Sequence, residues 1–102
     1  MQEFNVAFTD EADIDLENIV YYLSNFSPAI ARKYYDEIML KANSLETMPE
    51  RCPLIRDELL REKGYRWLFV RNYTIFFTVH KKENIVSVRR ILYARQDYTA
   101  LL

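Results

Sequence analysis

The chain has 102 residues, a formal net charge of −1 and a single cysteine, and half of its residues are hydrophobic. This length allows one domain with one core, the composition excludes a disordered protein, and the lone cysteine excludes an internal disulfide. We expect a single domain over residues 1–102.

The first elements predicted along the chain are a strand and a helix. Phe4, Val6 and Phe8 alternate with polar or small residues, which predicts a short half-buried strand. Thr9 has the character of an N-cap, and acidic residues follow it in the first turn, where they favour a helix. Apolar residues then recur at helical spacing, so we predict a helix over residues 10–25.

A second helix is predicted to follow at once. Ser27 and Pro28 form a typical helix start, an N-cap followed by proline at the first helical position. This helix should end near Thr47, because Pro49 disfavours helix at the residue before it. The short break between the helices predicts an antiparallel hairpin. Each helix carries an adjacent pair of tyrosines, and we expect one member of each pair to face the sheet: Tyr21 or Tyr22, and Tyr34 or Tyr35.

The second half of the chain predicts strands. Residues 49–63 are irregular, with one short helical turn at 58–63. Three strand-like runs rich in β-branched and aromatic residues then follow, at residues 65–70, 73–80 and 85–92. Their two-residue and four-residue connections, 71–72 and 81–84, require antiparallel pairing, with Asn72 suited to positive φ. The tail could add a final helical turn.

The predicted fold class is therefore α+β with the order β-α-α-β-β-β and a mainly antiparallel sheet. Each helix has one apolar stripe, so the hairpin should pack on one face of the sheet and leave the other face free. The aromatic residues of the strands are expected to belong to the core: Trp67, Phe69, Phe76 and Phe77.

Charge is strongly divided between the two halves. Residues 61–102 contain nine Lys/Arg and three acidic residues, a net charge of +6, whereas residues 1–60 contain five Lys/Arg and twelve acids, a net charge of −7. This division indicates a polyanionic target or an acidic partner for the basic half. The same arginines could instead be solvated charges that protect a sheet edge.

Strand alternation gives directions to three of these arginines. Arg66 should lie on the face opposite its neighbours, and Arg89 and Arg90 should not share a face. At least one of that pair should project to the open side or pair with an acid beneath the helices.

Membranes and metals are not expected. No apolar run approaches the roughly 20 residues that a bilayer span requires, and the N-terminus lacks a basic segment followed by an apolar one, so we expect a cytoplasmic protein. One cysteine and one histidine cannot build a Cys/His zinc site, and we expect no cofactor. Cys52, before Pro53, is expected to be a loop residue rather than a nucleophile.

The order of elements, together with Gly64, Arg66, Tyr73 and the closing segment ILYARQDY, resembles the RelE/ParE superfamily of toxins from bacterial type II toxin–antitoxin modules. The resemblance covers nearly the whole chain. It implies a toxin that arrests growth when free, as in plasmid stabilisation, and an acidic antitoxin that wraps around it in a hetero-oligomer. One branch of the superfamily poisons DNA gyrase, and another cleaves mRNA on the ribosome without a metal.

The resemblance also transfers single positions. Arg95 falls where the family has an arginine after the last strand, and Tyr93 replaces a family histidine. Thr74 and Leu68 stand where the RelE-like nucleases have catalytic arginine and lysine. The late tyrosine of these nucleases aligns near Leu101 and is absent here, although Tyr98 lies close by. The nuclease set is thus incomplete, which favours the gyrase-poisoning branch.

Three hypotheses follow. The favoured one is a ParE-like poison of DNA gyrase. The second is a RelE-like mRNA endonuclease, for which arginines would supply charge at the phosphate and a histidine or tyrosine would move a proton; its candidates are Arg66, His80, Tyr93, Arg95 and Tyr98. The third is a non-toxic module that only binds the antitoxin. The candidates for binding a partner or target are Arg66, Arg71, Arg89, Arg90, Arg95 and Tyr98.

Overall fold

A computed structural model describes residues 2–102 and confirms the predicted order of elements. Three helices and four strands succeed one another as β1 (Asn5–Phe8), α1 (Asp10–Ser24), α2 (Pro28–Asn43), α3 (Glu58–Glu62), β2 (Arg66–Val70), β3 (Tyr73–His80) and β4 (Ile85–Tyr93). Two short 3₁₀ turns, Ser44–Glu46 and Pro49–Arg51, connect α2 to the loop before α3. Among these residues, no helix has the length and apolar character needed to cross a membrane.

The two main helices begin where the sequence predicted. The Thr9 hydroxyl accepts a hydrogen bond from the Ala12 amide at 3.1 Å, and the Ser27 hydroxyl accepts one from the Ile30 amide at 3.3 Å. Both caps satisfy amides that have no partner within the helix. The 3₁₀ turn after α2 carries the helical course to the neighbourhood of Thr47, close to the predicted end.

The four strands form one mixed sheet in the order β1-β4-β3-β2. β3 pairs antiparallel with both β2 and β4, whereas β1 pairs parallel with β4. The predicted α+β class with a mainly antiparallel sheet is confirmed. The helical hairpin covers one face and forms the main core, to which Leu16, Ile38, Leu45, Ile75 and Phe77 contribute.

The other face of the sheet is not free, contrary to the prediction. It carries a second core with five buried residues, Ile55, Leu60, Tyr65, Phe76 and Leu92, and with Trp67, Tyr98 and Leu102 at its margin. The loop, α3 and the C-terminal tail cover this face, and the amides of Leu101 and Leu102 bond to the Tyr98 carbonyl in the predicted last turn. These covering residues have no regular spacing, so periodicity could not predict their burial.

A β-bulge in β4 overturns the prediction that Arg89 and Arg90 lie on opposite faces. Phe77 pairs with Val88, but its neighbour Phe76 pairs with Arg90, so Arg89 is an extra residue. Val88 and Ile91 both belong to the main core. The two arginines between them therefore share the second face, where both line a small cavity of about 110 Å³.

The turn between β2 and β3 forms as predicted, but with a different residue at positive φ. Arg71, with φ of 52°, takes the left-handed conformation that the sequence assigned to Asn72. The side chain of Arg71 is held by Glu37 and stacks on Tyr34, and these contacts help to offset the backbone cost of this conformation. In the following turn, Asn84 has φ of 57°, a conformation that asparagine tolerates.

Two expectations about aromatic residues are partly wrong. Phe76 and Phe77 are buried and Trp67 is half-buried, but Phe69 is 55% exposed at the edge strand. Tyr34 packs on the main core while Tyr35 is exposed, as predicted, yet both Tyr21 and Tyr22 are exposed. The residues of α1 that face the core form one stripe, which leaves both tyrosines outside it: Ala12, Leu16, Ile19, Val20 and Leu23.

Candidate partner-binding site

Two of the candidate proton-transfer residues, His80 and Tyr93, lie at opposite ends of β3. His80 is exposed at one end of β3, where its Nε2 lies 2.9 Å from the Thr78 hydroxyl. Tyr93 pairs with Tyr73 at the opposite end of that strand. Seven residue steps at about 3.3 Å each separate the two ends by roughly 23 Å. Tyr98 packs on the second face against Trp67 and Phe76, with ring centroids 5.8 and 5.2 Å away.

Arg66 is engaged within the molecule. It lies on the face opposite Trp67, as alternation predicted, and its guanidinium donates to the carbonyls of Cys52 at 2.6 Å and Glu50 at 3.3 Å. The Glu50 carboxylate lies 3.6 Å away. With 17% of its side chain exposed, Arg66 fastens the loop before α3 to the sheet. Cys52 is buried in that loop, and this burial raises the pKa of its thiol.

Arg71 and Arg90 each hold an acidic residue of the helical hairpin. Arg71 Nε lies 2.7 Å from Glu37 Oε2, and Arg90 Nε lies 2.7 Å from Asp15 Oδ2. These hydrogen bonds raise the pKa of both guanidinium groups and lower the pKa of Glu37. Arg90 thus pairs with an acid of α1, although it projects to the second face of the sheet and not beneath the helices. Arg89 and Arg95 are exposed.

A groove lined by tyrosines opens at the end of the sheet where Arg71 and Tyr93 lie. We call it the tyrosine groove; it has a volume of about 560 Å³ and receives Tyr22 from α1, Tyr34 from α2, Tyr73 from β3 and Tyr93 from β4. The rings of Tyr34 and Tyr73 are 6.1 Å apart, and those of Tyr73 and Tyr93 are 5.9 Å apart, both in edge-on geometry. Such tyrosines offer an apolar surface with hydrogen-bonding tips, as in many protein interfaces.

Tyr73 is the most deeply buried of the four tyrosines that line this groove, with 8% of the residue exposed. Burial and the neighbouring phenols of Tyr34, Tyr22 and Tyr93 raise the pKa of Tyr73, so the hydroxyl stays protonated and can donate.

The edge of β4 beside the groove is only partly covered. β1 ends at Phe8, opposite Val88, whereas β4 continues to Tyr93. Beyond that point, the Thr9 hydroxyl donates to the Arg89 carbonyl at 2.9 Å, and Asp15 accepts from the Ile91 amide at 2.9 Å. Because alternate residues point the same way, the Tyr93 amide also faces outward. Beyond Val88, this edge of β4 has no neighbouring strand among residues 2–102.

Sequence reasoning did not find this groove. It predicted arginines as binding residues and treated Tyr93 as a replaced histidine, but it did not bring Tyr34 and Tyr73 together. The available signal was the adjacent tyrosine pairs of the two helices, because one member of each pair, Tyr22 and Tyr34, lines the groove. Among residues 2–102, no group of three His, Cys, Asp or Glu side chains lies together in a way that could hold a metal ion.

Comparison with known proteins places the chain in a family. A sequence model described as the ParE toxin of the type II toxin–antitoxin system parDE matches residues 6–98. No curated protein matches the sequence closely enough to be reported as a relative.

Solved structures share the fold. One is from the chromosomal ParDE toxin–antitoxin system of P. aeruginosa, with 20% identity and a TM-score of 0.73, covering 91% of this chain and 98% of that one. Another is from the toxin–antitoxin complex RelBE2 of Mycobacterium tuberculosis, with 20% identity and a TM-score of 0.65, covering 89% of this chain and 98% of that one. The family model over residues 6–98 confirms the superfamily resemblance of the sequence. Since the family model spans most of the residues, the chain belongs to the ParE toxin family of type II toxin–antitoxin systems.

Proposed function

We propose that this protein arrests bacterial growth by binding and poisoning DNA gyrase when it is free of an acidic antitoxin. It acts in the cytoplasm as a single domain over residues 1–102, and the antitoxin holds it inactive in a hetero-oligomer. A module of this kind would stabilise a plasmid that carries it. Two observations support a binding poison over a nuclease: His80 and Tyr93 lie at opposite ends of β3, and Arg66 is engaged by loop carbonyls.

Cleavage of RNA by proton transfer requires an acid and a base within hydrogen-bond reach of the reacting atoms, or one water away. His80 and Tyr93 are roughly 23 Å apart along β3, and Tyr98 packs in the second core. Arg66 is engaged by the loop carbonyls. This arrangement supports a protein that acts through its surface.

Charge and the structural neighbours support the antitoxin. The half of the chain from residue 61 has a net charge of +6, from nine basic and three acidic residues, and therefore attracts an acidic partner. The two similar structures come from ParDE and RelBE2 toxin–antitoxin systems. An antitoxin is accordingly the partner we propose here as well.

The test is to induce the chain alone in a bacterial host and to follow DNA and protein synthesis by pulse-labelling. We expect DNA synthesis to stop first and purified gyrase to be trapped on DNA. His80→Gln should arrest growth as fully as wild type, because His80 has no catalytic role in this proposal. If protein synthesis stops first and new mRNA ends appear, the chain is a nuclease. Unchanged growth would instead favour a module that only binds the antitoxin.

A further inference from the structure

The helical hairpin carries a second groove, which is lined by helix residues alone. We call it the hairpin groove; it has a volume of about 570 Å³ and runs between α1 and α2. Its lining consists of Tyr35 from α2 and a row of residues from α1: Asp13, Leu16, Glu17, Val20, Tyr21 and Ser24. At a rise of about 1.5 Å per residue, the row from Asp13 to Ser24 extends along α1 for roughly 16 Å.

The two tyrosine pairs of the hairpin divide between its two grooves. Tyr22 and Tyr34 line the tyrosine groove, whereas their neighbours Tyr21 and Tyr35 line the hairpin groove. Adjacent residues of a helix point about 100° apart, so each pair serves two sides of the hairpin. Tyr21 and Tyr35 are 73% and 40% exposed, and packing in the core therefore does not account for them. Their meeting at one groove indicates a second surface for a partner.

The hairpin groove has an acidic rim, in contrast to the basic half of the chain. Asp13 and Glu17 lie one turn apart and are both exposed, and neither forms a salt bridge within residues 2–102. Arg32, one turn before Tyr35, lies 3.7 Å from Asp36, so this pair adds no net charge. The described lining residues thus include two acids and no basic residue, a net charge of −2. Such a rim attracts a basic segment and repels an acidic one.

The rest of the groove fits the remainder of a basic segment. Leu16 is buried and Val20 half-buried, and together they form an apolar floor between Tyr21 and Tyr35. An arginine or lysine of the partner can lay its apolar stem on this floor and bring its charge to the two carboxylates. The guanidinium of an arginine can also stack on a tyrosine ring. A groove of this length, apolar in the middle and charged at the rim, is suited to an amphipathic helix.

We propose that the hairpin groove binds a basic amphipathic helix of the protein that this toxin poisons. The identification of that protein as gyrase rests on the proposed function, whereas the chemistry of the helix rests on the groove. An acidic antitoxin is attracted to residues 61–102, with nine basic and three acidic residues, and is repelled at the hairpin groove. The target and the antitoxin accordingly bind surfaces of opposite charge.

The first test is a titration of the full chain, made in a cell-free system, with a synthetic peptide of about twelve residues, which as a helix is about 18 Å long. Leucine and arginine share one helical face of this peptide, and a matched peptide has glutamate in place of arginine. We expect the arginine peptide to shift the NMR signals of Tyr21 and Tyr35. It should bind at least about ten-fold more tightly than the glutamate peptide, because the rim is negative.

Two matched pairs of variants locate the binding site. Glu17→Lys reverses a charge of the groove, and Glu62→Lys makes the same change of net charge on α3. Tyr21→Ala removes a ring of the groove, and Phe26→Ala removes a ring of similar exposure, 70%, outside its lining. We expect Glu17→Lys to weaken binding of the arginine peptide about ten-fold and Tyr21→Ala about five-fold, with both controls close to wild type. All four positions are exposed, and circular dichroism verifies that the variants are folded.

Equal affinity of the arginine and glutamate peptides would overturn the basic occupant. Equal weakening by Glu17→Lys and Glu62→Lys, or by Tyr21→Ala and Phe26→Ala, would overturn the hairpin groove as its site. These peptide measurements use neither gyrase nor living cells, so they decide the chemistry of the groove even where the growth experiment fails.

The second test uses purified gyrase. We expect wild type and Glu62→Lys to trap gyrase on DNA, and Glu17→Lys to do so about ten-fold less efficiently. Trapping by Glu17→Lys at the wild-type level would overturn this inference while the proposed function stands. Failure of the wild-type chain to trap gyrase would overturn the proposed function and, with it, the identification of the partner as gyrase.

Discussion

Asp15 and Arg90 form a two-pronged ion pair across the open edge of β4. Arg90 Nε lies 2.7 Å from Asp15 Oδ2, and Arg90 Nη2 lies 3.0 Å from Asp15 Oδ1. The same Oδ2 accepts from the Ile91 amide at 2.9 Å, and Arg90 Nη1 donates to the Leu101 carbonyl at 3.1 Å. One carboxylate thus joins α1, β4 and, through Arg90, the C-terminal tail.

Loss of this carboxylate should destabilise the fold. The side chains of Asp15 and Arg90 are only 12% and 22% exposed, so removing one charge leaves the other poorly solvated. We expect Asp15→Asn to lower the free energy of unfolding by about 2–3 kcal/mol, measured by urea denaturation. Glu17→Gln, an exposed acid of the same helix, should change it by less than about 0.5 kcal/mol. Equal effects of the two substitutions would contradict the assigned role of the pair.

The C-terminal tail should be detectable through Trp67, the one tryptophan of the sequence. Its ring lies 5.8 Å from that of Tyr98, which the last turn holds on the second core. We expect Tyr98→Ala to shift the fluorescence of Trp67 to longer wavelength and to lower the stability by about 2 kcal/mol. Tyr21→Ala, at a residue that is 73% exposed, is the control and should change neither. An unshifted spectrum in Tyr98→Ala would show that the tail does not cover Trp67.

The Glu37–Arg71 pair predicts a pH dependence on the acidic side. The hydrogen bond from Arg71 lowers the pKa of Glu37 in the folded state. Its contribution to stability is therefore present above the ordinary glutamate pKa of about 4.3 and is lost as the pH falls through the lowered folded-state value. The melting temperatures of wild type and Glu37→Gln should differ at pH 7 and converge at low pH.

The control for this pH experiment is Glu62→Gln, which removes an exposed carboxylate at the end of α3. It should leave the melting temperature close to that of wild type at pH 7. If the difference in melting temperature between wild type and Glu37→Gln stayed constant down to the lowest pH, titration of Glu37 would be excluded as its cause. Added salt should reduce this difference in melting temperature at pH 7, because salt screens exposed ion pairs.

Met48 provides a test of backbone strain. It adopts φ of 48° and ψ of 50° directly before Pro49, and the residue is 58% exposed. The left-handed conformation costs a non-glycine residue about 1 kcal/mol or more. We expect Met48→Gly to raise the free energy of unfolding by about 0.5 kcal/mol, after the added flexibility of the unfolded chain is included. Met48→Ile should lower it by about 1 kcal/mol, since β-branching disfavours this conformation; a stabilised isoleucine variant would contradict this account.

Local signals in the sequence were sufficient for the elements and their order. The caps at Thr9 and Ser27 depend on residues three positions away, and the strand runs differ clearly from the helices in composition. The face shared by Arg89 and Arg90 could not be derived in this way. It depends on how β4 pairs with Phe76 and Phe77. A bulge there changes which face each side chain of β4 points to, and the amino-acid composition of the strand does not show the bulge.

The candidate site was less accessible to sequence reasoning than the fold. The arginines were identified by their charge, but Arg66, Arg71 and Arg90 all hold partners within the domain. The tyrosine groove draws on four separate elements, from Tyr22 to Tyr93, and it exists only after the hairpin has packed on the sheet. Neither helical nor strand periodicity contains that information.

The central position of the last strand has a consequence for biosynthesis. β4 lies between β3 and β1, and its pairing with β1 joins Asn5 to Ile85 across most of the chain. A ribosome adding roughly 5–20 residues each second would release the N-terminal strand several seconds before its partner. Until then, the apolar faces of the hairpin and of β3 lie open to solvent and to chaperones. The nascent polypeptide therefore cannot complete its fold until almost all of it has been translated. Truncated translation products that lack β4 could not form the four-stranded sheet.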